Sequence, residues 1–210
     1  MPKRIPHTDL EIITGEQTTQ DYLKMQKKFG KFYFRDFFSR FDQIKKTGRF
    51  LEIGPGPGYQ TCLVSKRYNP EKIIGLEYSP DMIKVAEEYT HDQRLDSKVT
   101  FVKGAVEDTE LIKGLGTFDV VYSTFSLHHW TNPSTGIRNL YNCLNENGVI
   151  YIYDFFRGGI FYYLKIKRGI WESIRASYRP EEIADMLKRL DINNYSLEKK
   201  GLYMAFIIRK

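Results

Sequence analysis

The sequence predicts an α/β fold: a doubly wound, mostly parallel seven-stranded sheet with a C-terminal antiparallel hairpin and helical lid segments. Three observations lead there. Strand-like and helix-like stretches alternate from residue 49 to residue 190. The first strand runs directly into a glycine cluster that opens a helix. YSLEKK (195–200) and the apolar LYMAFIIR (202–209) flank Gly201, as in a hairpin. With 210 residues, 41% hydrophobic and 28% charged, the chain holds enough for one core. That composition excludes a disordered chain, a collagen-like fibre and a disulfide-knit toxin.

Residues 18–46 carry a helical pattern with a break expected near Gly30, capped by Thr18 or Thr19 with Asp21 in the first turn. RFLEI (49–53) is a short apolar strand, residues 58–68 a helix stopped at Asn69-Pro70, and KIIGLE (72–77) a second strand. Ser79-Pro80-Asp81 opens a helix to about Tyr89, proline being suited to a first turn. KVTFV (98–102) and FDVVYS (118–123) are strands, Pro133 to Leu144 is a helix ended by Asn147-Gly148, and VIYIYDF (149–155) is the fifth strand. Residues 180–190 form a helix, and 195–200 with 202–209 form the hairpin. Cys62 and Cys143 fall in helical stretches and read as buried thiols of a reducing compartment. The four histidines and two cysteines show neither HExxH nor CxxC spacing, so no metal site is expected.

In such a sheet, ligands bind at the carboxyl ends of the strands where strand order reverses. The first strand ends in Glu52-Ile53-Gly54-Pro55-Gly56-Pro57-Gly58. Glycine tolerates positive φ and lets a ligand approach the backbone, and the helix start adds free N–H groups. Glu77 closes the second strand nineteen residues later, where a carboxylate can accept bonds from both hydroxyls of a ribose. The spacing is G-x-G-x-G. It is neither the G-x-G-x-x-G of a dinucleotide site nor a P-loop, which argues against a nicotinamide oxidoreductase.

The run LEIGPGPG, GLEYSPDMI, VTFVKGAVED, FDVVYSTFSLHHW and LNENGVIYIYDF resembles class I S-adenosylmethionine-dependent methyltransferases, in their order. It is most similar to the small-molecule group that includes ubiquinone-biosynthesis-like enzymes, over about residues 48–155 and more loosely 178–210. The resemblance implies a Rossmann-like single methyltransferase domain over 1–210. It also implies S-adenosyl-L-methionine as cofactor, S-adenosyl-L-homocysteine as product, and methyl transfer by in-line displacement. Gly54, Pro55, Gly56 and Gly58 would pass under the methionine part, Glu52 would steady that turn and the cofactor's amino end, Glu77 would hold the ribose and Tyr78 would cover the adenine. Ser123 and Thr124 would sit by the methionyl group. The family's aspartate after the third strand is Ala105 here, so Glu107 or Asp108, or the backbone of Val106, would hold the adenine.

A base is needed only where the acceptor must lose a proton. The candidates are His128 and His129, of which extended backbone would turn at most one toward the pocket. No Asn/Asp-Pro-Pro-aromatic run follows the fourth strand, and no Pro-Cys pair exists. Methylation of adenine N6 or glutamine nitrogen, and cysteine attack on cytosine, are thereby disfavoured.

The net charge of +6 is uneven. Residues 1–49 carry +5, residues 155–179 carry +5, and both are rich in aromatics. Such segments suit an anionic, partly apolar substrate, a nucleic acid or a membrane surface, or are two amphipathic helices. In the family the corresponding segments, 1–47 and 156–178, are helical lids over the site. Their aromatic and basic side chains, Tyr22, Tyr33, Phe37, Arg157, Tyr162, Tyr163 and Trp171, are the candidate acceptor contacts, and reversing Arg157 and Lys165 is expected to raise the acceptor KM alone. A small-molecule acceptor is favoured. An RNA or protein methyltransferase, or a cofactor-binding protein without transferase activity, stands as the alternative. There is no signal-peptide core and no eighteen-residue apolar run, which predicts a cytoplasmic chain without a membrane span.

Overall fold

The computed structural model describes residues 3–6, 15–44, 47–159, 162–163 and 168–210. Strands β1 (Arg49–Ile53), β2 (Lys72–Glu77), β3 (Val99–Lys103), β4 (Phe118–Thr124), β5 (Leu144–Phe155), β6 (Tyr195–Lys200) and β7 (Tyr203–Arg209) form one sheet. Its order is β3-β2-β1-β4-β5-β7-β6. The first five strands are parallel, with Ile53 beside both Leu76 and Ser123. The closing pair is antiparallel and inserts β7 next to β5. Strand order turns back between β1 and β4, so their carboxyl ends open the crevice that the topology reserves for a ligand.

The helices are α1 (Glu16–Tyr33), α2 (Arg35–Phe41), α3 (Tyr59–Tyr68), α4 (Pro80–Asp92), α5 (Thr109–Gly114), α6 (Pro133–Asn142), α7 (Arg168–Ala176) and α8 (Pro180–Arg189). Strand side chains alternate between faces. Leu51 and Ile53 join a core with Ile112, Ile137, Leu140, Ile183 and Leu187, which seats α5, α6 and α8. Phe50 faces the other way, into a core with Phe37, Phe41, Val64, Tyr122 and Tyr151 that seats α2 and α3. Glu52 shares the parity of Phe50 and is carried into that second layer, where it is buried.

Several boundaries differ from the expected ones. The first helix breaks at Phe34, not Gly30, because Phe34 itself is buried and starts the turn into α2. Gly15, not Thr18 or Thr19, is its N-cap, and the Thr19 hydroxyl donates to the carbonyl of Glu16 instead. The helix expected to reach Leu144 stops at Asn142. Leu144 already pairs with Phe118, and a left-handed Asn147 lies inside the long fifth strand ahead of Gly148. Helix α5 carries no readable period because it has only six residues, and it rests on an Asp108 cap. Both cysteines are free and buried, and burial pushes each thiol up to about 11, which leaves them unreactive.

Candidate active site

The turn after β1 is shaped by φ angles that only glycine adopts freely: +71° at Gly54, +55° at Gly56 and +77° at Gly58. Every second residue is left-handed, which is the physical content of G-x-G-x-G. The three glycines have different neighbours. A Cβ on Gly54 would fall 2.4 Å from the Ser126 hydroxyl, and one on Gly58 would fall 3.0 Å from the Ala86 methyl of α4. At Gly56 it would meet only the Tyr22 ring, at 3.8 Å. The middle of the turn is therefore open on its outer side, beneath Tyr22.

Glu77 links this turn to β2. The Gly56 N–H donates to its Oε2 at 2.9 Å, and the Ser79 N–H donates to its Oε1 at 2.9 Å. The carboxylate has about four acceptor sites, so capacity remains for a ribose hydroxyl beside these N–H groups. Burial pushes this carboxyl above the usual range, and the N–H groups of Ser79, Gly56 and Tyr78 pull it back. Tyr78, next along, is 60% exposed and presents its ring to solvent beside the carboxylate.

Glu52 is the buried acid beneath. The Tyr122 hydroxyl donates to its Oε2 at 2.8 Å. Burial pushes its carboxyl from 4.5 up to about 7, against a smaller opposing pull from the Thr61 and Tyr122 hydroxyls. A carboxyl whose folded pKa is raised favours folding below its unfolded pKa and loses that contribution as pH rises through the folded value. Unfolding by urea from pH 5 to 8 is expected to show the parent losing on the order of 3 kcal/mol relative to Glu52→Gln across that window. Parallel pH curves for the two proteins would contradict the assignment.

The residues expected to hold the adenine occupy other roles. The Asp108 carboxylate accepts the Leu111 N–H as the cap of α5, and Glu107 accepts the Asn132 N–H at 3.0 Å. Val106 is buried in the first core, and its carbonyl accepts from Asn139. Ala105 brings no side-chain acceptor. Past β4, the Ser123 hydroxyl donates to the Ile53 carbonyl, tying the two strand ends together, and the Gln60 amide of α3 donates to Thr124 Oγ1 at 2.7 Å.

The two histidines part company in a single 3₁₀ turn, Leu127–His129. His129 is exposed, whereas His128 is 2% exposed. His128 Nδ1 lies 2.7 Å from Asp154 Oδ1, and the His128 backbone N–H donates to Asp154 Oδ2 at 3.0 Å. A carboxylate only accepts, so Nδ1 carries the proton and Nε2 is the basic nitrogen. Asp154 went unnoticed in the sequence, although an acid near the end of an otherwise apolar strand was a usable signal. Beside this pair stands an aromatic wall. Phe125, held at a left-handed φ of +54°, stacks on Phe155 at 4.8 Å, and Tyr203 lies 5.4 Å from Phe155. A side chain with a Cβ held there is strained, a feature that concentrates at functional sites.

The lid residues divide. Tyr22 flanks the glycine turn, and Tyr33 stands edge-on to Phe29 and Phe32. Phe37 is corrected: it is fully buried, stacked on Phe41 and against Tyr151, because α2 turns its aromatic face onto the sheet. Arg157 is corrected as well. At 2% exposed it donates to the Ser177 carbonyl and pairs with Glu182, so its charge is answered inside the protein. Reversing it would break a buried ion pair rather than act on an acceptor. Lys165 lies outside the described residues. The Trp171 indole donates to the Tyr162 carbonyl within the inserted segment, and the Tyr162 hydroxyl joins that segment to the N-terminal one by donating to the Lys3 carbonyl, both at 3.0 Å. Tyr163 is exposed. Alongside, the Ile5 N–H donates to Arg175 and Arg4 donates to the carbonyls of Ala176 and His128. Residues 3–6 thereby run against the end of α7 and reach the histidine turn.

Comparison with known proteins places these features in context. The family described as methyltransferase domain matches residues 51–152. The chain is 32% identical over 108 residues to 2-methyl-6-phytyl-1,4-hydroquinone methyltransferase 2, chloroplastic, of Oryza sativa subsp. japonica, covering 51% of this chain and 29% of the relative. It is 24% identical over 161 residues to the demethylmenaquinone methyltransferase of Porphyromonas gingivalis, covering 70% and 65%. The chain spans about a third of the length of the first curated relatives it matches. A solved protein of Methanococcus maripaludis, provisionally described as an S-adenosyl-L-methionine-dependent methyltransferase, superposes with a TM-score of 0.74 at 20% identity over 97% of each chain. At that identity the likeness carries the fold.

Proposed function

We propose that this chain, whose residues 51–152 match the methyltransferase-domain family, is a class I S-adenosylmethionine-dependent methyltransferase that methylates a small hydroxylated aromatic acceptor whose proton is taken by His128. The observation that carries the nucleoside site is the open glycine turn joined to Glu77 through the Gly56 N–H. These residues suit S-adenosylmethionine. Glu77 offers its remaining acceptor capacity to the ribose, the backbone at Gly56 admits close approach, and Glu52 is a buried acid for an ammonium group. Bound there, the cofactor supplies a methyl group activated on a sulfonium.

The protein's own work is then positioning and proton handling. Holding the two reactants in line supplies much of the rate. His128 Nε2 accepts the proton of the acceptor hydroxyl, and Asp154 keeps the imidazole in the tautomer that can do so and steadies its positive charge afterwards. Phe125, Phe155 and Tyr203 provide an apolar face for a ring and exclude water from the exchange. The names of the hydroquinone and menaquinone relatives agree with that acceptor class. The test is a thermal-shift series with S-adenosylmethionine, S-adenosylhomocysteine and NAD. The first two are expected to raise the melting temperature, because ligand at a hundred times its Kd adds about 2.7 kcal/mol. A shift with NAD alone would overturn the proposal.

A further inference from the structure

We propose that the outer face of α1 docks on an anionic phospholipid bilayer. The inference is independent of the reaction assigned above. The inner face of the helix is committed: Leu23 and Gly30 are buried against the body of the protein, and Tyr22 and Gln26 point the same way. Among the described residues no other element covers the outer face, and it is not ordinarily polar. Lys24, Lys28, Lys31 and Arg35 recur at intervals of four, three and four residues and are all exposed, and no acid lies between Asp21 and Asp36. Phe32 follows Lys28 by four residues and is 70% exposed, and Phe29 on the flank is 41% exposed. The Arg35 guanidinium sits over the Phe32 ring and the Lys28 ammonium over the Phe29 ring, at 5.9 and 5.3 Å. Cations and rings are thus interleaved on one crest.

That composition matches an interfacial helix. Its rings enter the boundary between headgroups and acyl chains while its lysines meet anionic headgroups. Lys24 is paired with Asp21, and from Lys27 to Arg35 the charge is one-signed over nine residues. The rings stand on a convex crest, which suits a planar apolar boundary better than the charged groove that follows a nucleic-acid strand. Among the described residues no helix is long and apolar enough to cross a membrane, so contact through α1 would be peripheral.

The experiment is co-sedimentation of the full chain with vesicles of phosphatidylcholine alone or with one third phosphatidylglycerol. Pelleting is expected with the anionic vesicles only and should fall as salt is added. Phe32→Ser is expected to weaken the partition severalfold. Phe32→Ser combined with Lys28→Glu and Lys31→Glu should lower it at least tenfold, since each juxtamembrane lysine is worth about fivefold. All three positions are solvent-exposed, so the melting temperature should match the parent's. No pelleting with anionic vesicles, or pelleting that the triple variant leaves unchanged, overturns the proposal. So does a gel shift of RNA, or a dimer abolished by Phe32→Ser, in a protein that ignores both vesicles.

Discussion

In the proposed reaction, assayed with a hydroquinone, a His128→Asn protein is expected to transfer methyl groups between about a hundredfold and ten-thousandfold more slowly than the parent, the range usual for loss of a general base. Its affinity for S-adenosylmethionine stays within a factor of two. Asparagine is chosen because its amide can still donate to Asp154. A smaller residue would leave that carboxylate buried without its ring partner, and instability would be mistaken for lost chemistry. Release of S-adenosylhomocysteine gives the rate and calorimetry gives the affinity. The companion is Asp154→Asn, a change to a positioning residue. It removes the carboxylate that fixes the proton on Nδ1, so kcat falls while affinity for S-adenosylmethionine is kept. If both variants keep the parent rate, the acceptor needs no base. If affinity falls along with rate in either, the pair is architectural.

The second large effect lies on the other half of the site. Glu77→Ala is expected to weaken S-adenosylmethionine by at least a hundredfold. A hydrogen bond to a charged group contributes about 1.5–3 kcal/mol, and the ribose contact is lost with it. The Gly56 and Ser79 N–H groups lose their shared anchor as well, so the turn is less well held before the ligand arrives. Calorimetry on a variant with a parental circular-dichroism spectrum measures the change. Binding within threefold of the parent would show that the nucleoside lies elsewhere and would take the proposed reaction with it. Glu77→Gln, which keeps the anchor's shape but not its charge, should fall between the two.

The sheet, and the glycine turn joined to an acid at the next strand end, were legible because they rest on short-range rules. Left-handed backbone at alternate positions demands glycine, and an acid closing the next strand is a matter of spacing. The acceptor half rests on partners distant in sequence. Arg157 reads as an exposed cation until Glu182, twenty-five residues on, takes up its charge. Phe37 has the periodicity of a lid and the burial of a core residue, because period shows which face of a helix is apolar but not whether a ligand or the sheet lies against it. Asp154 was hidden in an apolar strand, and its meaning came only with the 3₁₀ turn that lowers His128 onto it. Asp108 and Glu107 looked available for a base amine, yet Asp108 caps the helix it opens and Glu107 accepts the N–H of Asn132, twenty-five residues on.

The insertion of β7 beside β5 has a consequence for how the protein fails. Asp154 stands opposite Met204, so the carboxylate that orients His128 is held in register by the terminal hairpin, whose outer strand β6 is mostly exposed. The glycine turn and Glu77 lie across the sheet among parallel strands and owe that hairpin nothing. Peripheral strands open at lower free energy than central ones. On gentle heating, turnover would therefore vanish while the nucleoside was still being gripped, and the enzyme would pass through a stage in which it hoards its methyl donor without spending it.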